Sequence, residues 1–303
     1  MPYASVKRLV ARAREAGIVV PAFNIPYLPM LEPVVRAIED ANSFGMITAA
    51  RLEWEKFETG SLEALREEYE RFRLAAHTRL HLDHIPVIDE DDLRVDYLEL
   101  ITRAIDAGFE SVMIDGSRLP LDENIACTRE VVEVAHAAGI PVEAELGAVM
   151  GHESGPPPRY EELFASGKGF THPDEARQFV EGSGADWLSV AIGNIHGAIS
   201  AATRDRKKVA ARLNIDHLDQ IRTKAGVPLV LHGGSGIRKE YIVESMKHGI
   251  AKINVATAIR QPYETGLKKG VEAAQRAAYD ATLRVITEDL EVQGSVNILH
   301  PEE

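Results

Sequence analysis

Residues 111–146 read SVMIDGSRLPLDENIACTREVVEVAHAAGIPVEAEL, and this stretch decides the fold. Ser111 to Asp115 is a short apolar run of the kind shown by a strand buried on both faces. Leu121 to Ala138 then places apolar residues at i, i+3, i+4 and i+7, the spacing of one helix face. Gly139 stands where a left-handed cap would end that helix, and Pro141 to Leu146 opens a second run. A strand, a helix and a strand with short connections make a βαβ unit, whose two strands run parallel.

The unit repeats in both directions along the chain. Further short runs at Ile18 to Phe23, Met46 to Ala50, Thr78 to Asp83, Trp187 to Ile192, Pro228 to Leu231 and Lys252 to Val255 bring the strands to eight. Helical patterns at Asp91 to Ala107, Pro173 to Glu181 and Lys239 to His248 lie between them, and Gly108, Gly184, Gly226 and Gly249 punctuate as Gly139 does. Eight such repeats favour a closed barrel over a doubly wound sheet. The expectation is an α/β fold: a single (β/α)8 TIM barrel over residues 1–303, with an extra N-terminal helix (Ser5 to Ala16) and a C-terminal helical extension (Ala258 to Leu290).

One connection, residues 147–172, is too long to serve only as a link. It carries Gly147, Gly151, Gly155, Pro156 to Pro158, Gly167 and Gly169. Connections beyond about 12–15 residues are uncommon unless functional, so it is expected to be a mobile active-site loop.

Composition narrows the function. With 45% hydrophobic residues the chain has ample core material, which excludes disorder. A net charge of −13 with no stripe of Lys and Arg excludes nucleic acid as a partner, and any anionic ligand must be held locally. The one cysteine, Cys127, excludes an intrachain disulfide and a thiolate zinc site. Met1 to Ala11 lacks the apolar core of a signal peptide, and no run reaches the roughly 18 apolar residues a membrane helix needs. A cytoplasmic protein without membrane contact is expected.

Barrels build their sites at the C-terminal strand ends, and here those ends are polar. They carry Asn24, His81-Leu82-Asp83-His84, Asp115-Gly116-Ser117, Glu145-Leu146-Gly147, Gly193-Asn194-Ile195-His196-Gly197, His232-Gly233-Gly234-Ser235-Gly236 and Asn254. A lone histidine is more often structural than a ligand. Three of them, His84, His196 and His232, at equivalent ends of three strands suit Zn²⁺, which at catalytic sites keeps three protein ligands and an open position. By strand alternation His81 points into the barrel as a packed residue behind them. The glycine-rich turn at His232 to Gly236 presents backbone N–H groups to an anion where barrels commonly bind phosphate.

These residues carry a family resemblance. Val20-Pro-Ala-Phe-Asn24, His81-Leu-Asp-His84, Ser111-Val-Met-Ile-Asp-Gly-Ser117, Val142-Glu-Ala-Glu-Leu-Gly147, Ala191-Ile-Gly-Asn-Ile-His-Gly197, Leu231-His-Gly-Gly-Ser-Gly236 and Lys252-Ile-Asn-Val-Ala-Thr257 occur in the family's order. The chain resembles the class II, metal-dependent ketose-bisphosphate aldolases of the fructose-bisphosphate and tagatose-bisphosphate type, over roughly residues 5 to 280. Residues 43–77 and the last twenty or so fit the pattern poorly.

The resemblance implies zinc-dependent, reversible aldol cleavage of a phosphorylated sugar to dihydroxyacetone phosphate and an aldehyde. The substrate it implies is like fructose 1,6-bisphosphate; a tagatose-type or non-bisphosphate ketose is the alternative, and a noncatalytic partner subunit is the rival of another class. Catalytic zinc would be held by His84, His196 and His232. Asp115 and Glu145 either hold a second divalent ion or orient the histidines. Asn24, Gly197, Gly233, Gly234, Ser235, Asn254, Val255, Ala256 and Thr257 would form the ketose-phosphate cradle, with a monovalent Na⁺ or K⁺ ion beside it. Asp83 would take the hydroxyl proton of the carbon that becomes the aldehyde, and Glu153, in the long loop, would exchange the proton on the neighbouring carbon. A homodimer or homotetramer is implied as well.

Two places depart from the family pattern. After Asp83-His84 the family has a small residue, whereas this chain reads Ile85-Pro86-Val87-Ile88-Asp89-Glu90-Asp91-Asp92. Four consecutive acids there would repel a second phosphate unless they turn to solvent or cap the next helix. The end of the second strand, Ala49-Ala50-Arg51-Leu52-Glu53, lacks the hydroxyl residue expected near the far end of the substrate, which leaves Arg51, Arg118 and Arg260 as candidates for a distal phosphate. Among chemical rivals, a Schiff-base aldolase needs an inward lysine, and Lys252 is expected to open the last strand on the wrong face. A zinc hydrolase would usually carry a His-x-His pair at the first strand, where this chain has Phe23-Asn24.

Overall fold

The computed structural model describes residues 3–147, 160–194, 211–234 and 236–300. Eight strands close into a barrel: β1 Val20–Asn24, β2 Gly45–Ala50, β3 Thr78–Pro86, β4 Ser111–Asp115, β5 Val142–Leu146, β6 Trp187–Val190, β7 Leu229–Leu231 and β8 Ile250–Val255. Every neighbouring pair is parallel, and β8 closes on β1 through Val20↔Lys252 to Phe23↔Val255. Nearly every strand residue is buried, because one face meets the outer helices and the other fills the barrel.

The outward faces make the main core. Leu80, Leu82, Val112, Ile114, Val142, Ala144, Leu188, Val190, Leu229 and Leu231 pack against apolar stripes such as Ile101 and Ala104 or Val131 and Ala135. At the bottom the N-terminal helix Val6–Ala16 lays Leu9, Val10 and Ala13 on Val20, Met46, Trp187 and Val230, and so plugs the barrel. Its ends are set locally by Ser5, whose hydroxyl accepts from the Arg8 N–H at 3.4 Å, and by Gly17 at φ 66°.

Several boundaries differ from the expected ones for local reasons. Strand β3 runs on to Pro86, past His84, and the following helix is Tyr97–Asp106 rather than one starting at Asp91. Asp89 causes this: its Oδ1 accepts from the Asp91 and Leu93 N–H groups at 3.0 and 2.9 Å, a side-chain turn that competes with helix. Strand β6 stops at Val190 because the next amides bond side chains, Ala191 N–H to Thr171 Oγ1 and Ile192 N–H to Asn194 Oδ1, both at 2.9 Å. The C-terminal extension is two helices, Thr257–Leu267 and Val271–Arg284, divided at Gly270 with φ 115°, followed by one π-helical turn, Val285–Asp289, and the short helix Ser295–Leu299. Within 147–172, residues 148–159 lie outside the described ones, and Tyr160–Ser166 is a helix rather than loop. Among the described residues no helix is long and apolar enough to cross a membrane.

Candidate metal centre at the barrel mouth

Period-two alternation turns one set of residues inward on each strand. Toward the bottom that set includes Val20, Met46 and the buried Arg79, which donates to the Ala4 carbonyl at 3.1 Å. From mid-barrel upward it becomes Asn24, Thr48, His81, Asp83, Ser111, Glu143, Glu145, Ser189, His232, Lys252 and Asn254, all at most 8% exposed.

Regular alternation would send Asp83 and His84 to opposite faces. It does not, because the β3–β4 register slips between Leu82↔Val112 and Ile85↔Ile114, leaving one extra residue on β3. His84 takes up the slip at φ 36°, a left-handed backbone that costs a non-glycine residue about 1–3 kcal/mol. As a result both side chains reach the mouth.

There His84 Nε2 faces His232 Nδ1 at 2.7 Å. The outer nitrogens face carboxylates: His84 Nδ1 lies 3.4 Å from Asp115 Oδ2, and His232 Nε2 lies 2.8 Å from Glu143 Oε1. At this distance the two inner nitrogens share a hydrogen bond, one ring donating its N–H to the lone pair of the other. With the outer nitrogens protonated toward the carboxylates, exchanging that inner proton for a metal ion would turn both inner lone pairs to the ion. Glu145 Oε2 adds negative charge at 3.9 Å from His84 Nδ1 and 3.5 Å from His232 Nδ1. Burial works against a charged imidazole, yet Asp83, Asp115 and Glu145 together raise His84 to about 10, while burial and the facing His84 push His232 down. Glu145, desolvated among Asp115 and Glu143, is raised well above the ordinary carboxylate value. Potential ligand atoms of Asp83, His84 and His232 lie within 4.8 Å of one another, as do those of His84, Asp115 and Glu145. Imidazoles with carboxylates behind them suit a divalent ion such as zinc.

Asp83 is held by two carboxamides. Asn24 Nδ2 donates to Oδ2 at 2.9 Å and Asn254 Nδ2 to Oδ1 at 2.8 Å. Burial opposes its charge, but His84, Lys252 and His232 hold its carboxyl well below the usual range. Lys252 corrects the expectation for the last strand. It points inward, its Nζ donating to Asn254 Oδ1 at 2.6 Å and pairing with Glu143 Oε2 at 2.9 Å, because β8 begins at Ile250 and residues 252 and 254 share the inner face. It stays unsuited to Schiff-base chemistry, being 0% exposed and spent on Glu143. His81 lies beneath as expected, with Nδ1 2.8 Å from Ser111 Oγ; burial, then Lys252, lowers it to about 3, which keeps it neutral.

Glu143 and Glu53 were not singled out from the sequence, and Lys252 was expected on the wrong face. Glu143 stands two residues before Glu145, and Lys252 two before Asn254, so strand period alone puts them on the same face as those candidate residues. Glu53 has no such signal. It folds back from the helix Arg51–Lys56 so that Oε2 accepts from the Ala50 N–H at 2.7 Å and from Asn24 Nδ2 at 3.4 Å.

Around the cradle, Gly233 has φ 67°, and a Cβ at Gly234 would come 2.9 Å from Ile253 Cδ1, so the turn lies against β8. Val255 ends β8, and Ala256 and Thr257 open the helix Thr257–Leu267 beside it. His196, Gly197, Ser235 and Glu153 lie outside the described residues. On the other side of the mouth, Arg51 pairs with Asp89 at 3.3 Å and Glu55 at 2.9 Å, and Arg118 with Asp92 at 2.5 Å; Arg260, in the helix beside the cradle, pairs with Glu264 at 2.7 Å.

A family model described as fructose-bisphosphate aldolase class-II matches residues 4–297. The chain belongs to that family. As a class II aldolase it is a lyase, from a metal-dependent family that acts on phosphorylated sugars. It is 36% identical over 262 residues to a Bacillus subtilis protein named "Probable fructose-bisphosphate aldolase", covering 85% of this chain and 82% of the relative. The Staphylococcus aureus fructose-bisphosphate aldolase is 34% identical over the same shares. Among solved structures, the YdjI aldolase from Escherichia coli K12 superposes with a TM-score of 0.76 at 28% identity, covering 97% of this chain and 99% of that one.

Proposed function

We propose that this class II aldolase reversibly cleaves a ketose 1-phosphate to dihydroxyacetone phosphate and an aldehyde, using a zinc ion held by His84, His232 and His196. The observation that carries the reading is the 2.7 Å approach of two imidazole nitrogens, each backed by a carboxylate. When bound, the ion supplies positive charge at the ketose carbonyl, where cleavage leaves a carbanion. Asp115 and Glu143 hold the imidazoles in the tautomers that face inward; Asp115 and Glu145 also offer oxygens to a second divalent ion.

Asp83 takes the hydroxyl proton of the carbon that becomes the aldehyde and returns it on condensation. Its carboxylate is ionised and fixed by Asn24 and Asn254, so those amides serve the base as well as the cradle. Gly197, Gly233, Gly234, Ser235, Val255, Ala256 and Thr257 receive the phosphate, helped by the N-terminus of the helix Thr257–Leu267 and by a monovalent Na⁺ or K⁺ ion. Glu153 exchanges the proton on the neighbouring carbon, and the 147–172 loop shields that step from water. We further propose a single barrel domain, a cytoplasmic setting and a homodimer or homotetramer.

The test is release of dihydroxyacetone phosphate from a panel of ketose phosphates, with metal content measured in parallel. Chelation should abolish turnover and zinc should restore it. Full turnover in metal-free protein refutes the proposal.

A further inference from the structure

Among the described residues, Arg51, Arg118 and Arg260 are the cations read from the sequence for a phosphate at the far end of the substrate, and each is already engaged. Arg51 bridges Asp89 and Glu55, Arg118 donates to the Asp89 carbonyl and to Asp92, and Arg260 holds Glu264, which also accepts from the Tyr27 hydroxyl at 3.0 Å. The central acid cannot swing aside. Asp89 has a side chain 6% exposed, and its Oδ1 is fixed by the Leu93 and Asp91 amides, which also hold its carboxyl below the usual range.

A phosphate dianion reaching Arg51 must either displace Asp89 or lie against it. Displacement strips a buried carboxylate of its counter-ion, and lying against it brings like charges into contact. At Arg118 the dianion meets Asp92, with Glu90 and Asp91 in the same run of four acids. An end bearing only hydroxyls pays neither penalty, since these carboxylates accept O–H donors.

We propose that Asp89, with Arg51 and Arg118 locked around it, makes this aldolase selective for ketose 1-phosphates whose far end is an uncharged polyol, and against ketose bisphosphates. The selectivity rests on the ketose 1-phosphate reading above and narrows it. The reaction balances without a co-reactant: one carbon–carbon bond breaks, one hydroxyl loses its proton to become the aldehyde carbonyl, and the other carbon gains a proton.

Steady-state kcat/KM on the zinc-loaded full chain tests it, with paired 1-phosphates and 1,6-bisphosphates of fructose, tagatose, sorbose and psicose. The best monophosphate should exceed its bisphosphate by about tenfold or more. Equal values, or a bisphosphate ahead, overturn the selectivity while leaving the aldolase reading intact; no cleavage of any pair refutes both. Asp89→Asn removes the charge and should shrink the preference by roughly threefold or more. Because Asp89 also braces its turn, Asp92→Asn provides a second readout at a side chain 81% exposed, with a smaller shift in the same direction. A monophosphate preference that neither variant moves overturns the assignment to these acids.

Discussion

Two neighbouring parts of the mouth hold the same residue types to opposite ends. In the inner part, Asp83, Asp115, Glu143 and Glu145 surround three imidazoles and one lysine, at most 23% exposed in every side chain for which a pair is formed. On the outer rim, Asp89, Glu90 and Asp92 meet Arg51, Lys56 and Arg118; Asp89 and Arg51 are buried or nearly so, whereas Lys56, Arg118 and Asp92 reach solvent. Burial makes the difference. Carboxylates out of water leave negative charge that asks for a cation, whereas rim acids meet permanent cations and cancel them. The same chemistry becomes a metal centre in one place and a neutral border in the other.

If the inner part is the chemical one, Asp83→Ala should give the largest loss of all. Removal of a positioned base lowers kcat by about 10²–10⁴-fold, and the imidazole pair should keep its metal. Metal analysis beside turnover decides it: loss of the ion together with activity would make Asp83 a ligand, and unchanged kcat would remove it from the chemistry. Glu143→Gln comes next. The amide still reaches His232 but leaves Lys252 without its counter-charge, so zinc affinity should fall by about 10–100-fold. A competition titration that returns the wild-type value would mean the carboxylate behind His232 does not tune it.

Much of this was legible before any coordinates, because βα alternation, glycine caps and strand period are local signals. Gly139, Gly184, Gly226 and Gly249 all take positive φ as expected. The bulge at His84 was not legible, since a regular strand places Asp83 and His84 on opposite faces and only tertiary pairing with β4 forces the extra residue. Lys252 was misread for a simpler reason: two residues of β8 precede it, so the strand did not open where its charged residue suggested. The acids at 89–92 read as a helix cap, and the side-chain turn at Asp89 competes with that reading at equal strength in sequence. Roles given to His196 and Glu153 still rest on the family pattern, as both lie outside the described residues.

Glu53 sits on the border between the two regions and sharpens the contrast through pH. Burial, and after it the Asp83 charge, raise its carboxyl from 4.5 to about 8. Between those values the folded protein keeps a proton that the unfolded chain releases, so stability falls as pH rises through that window. Glu53→Gln removes the linkage. Urea unfolding at pH 5 and pH 8 should show the wild type losing on the order of 3–4 kcal/mol more than the variant across the interval. Parallel pH profiles would place Glu53 in an environment as wet as the rim.

Lys56→Gln should have the smallest effect, and for that reason it tests the rim half of the comparison most directly. Lys56 Nζ meets Glu90 across side chains 47% and 23% exposed, so both ions keep much of their hydration. Holding two long side chains together costs rotamer freedom that the screened attraction barely offsets. The variant should therefore lose no more than about 1 kcal/mol at low salt, and the loss should fade as salt shortens the Debye length to roughly 3 Å near 1 M. A loss above about 2 kcal/mol that persists in high salt would show a desolvated pair, and the rim would then be built on the same terms as the metal centre.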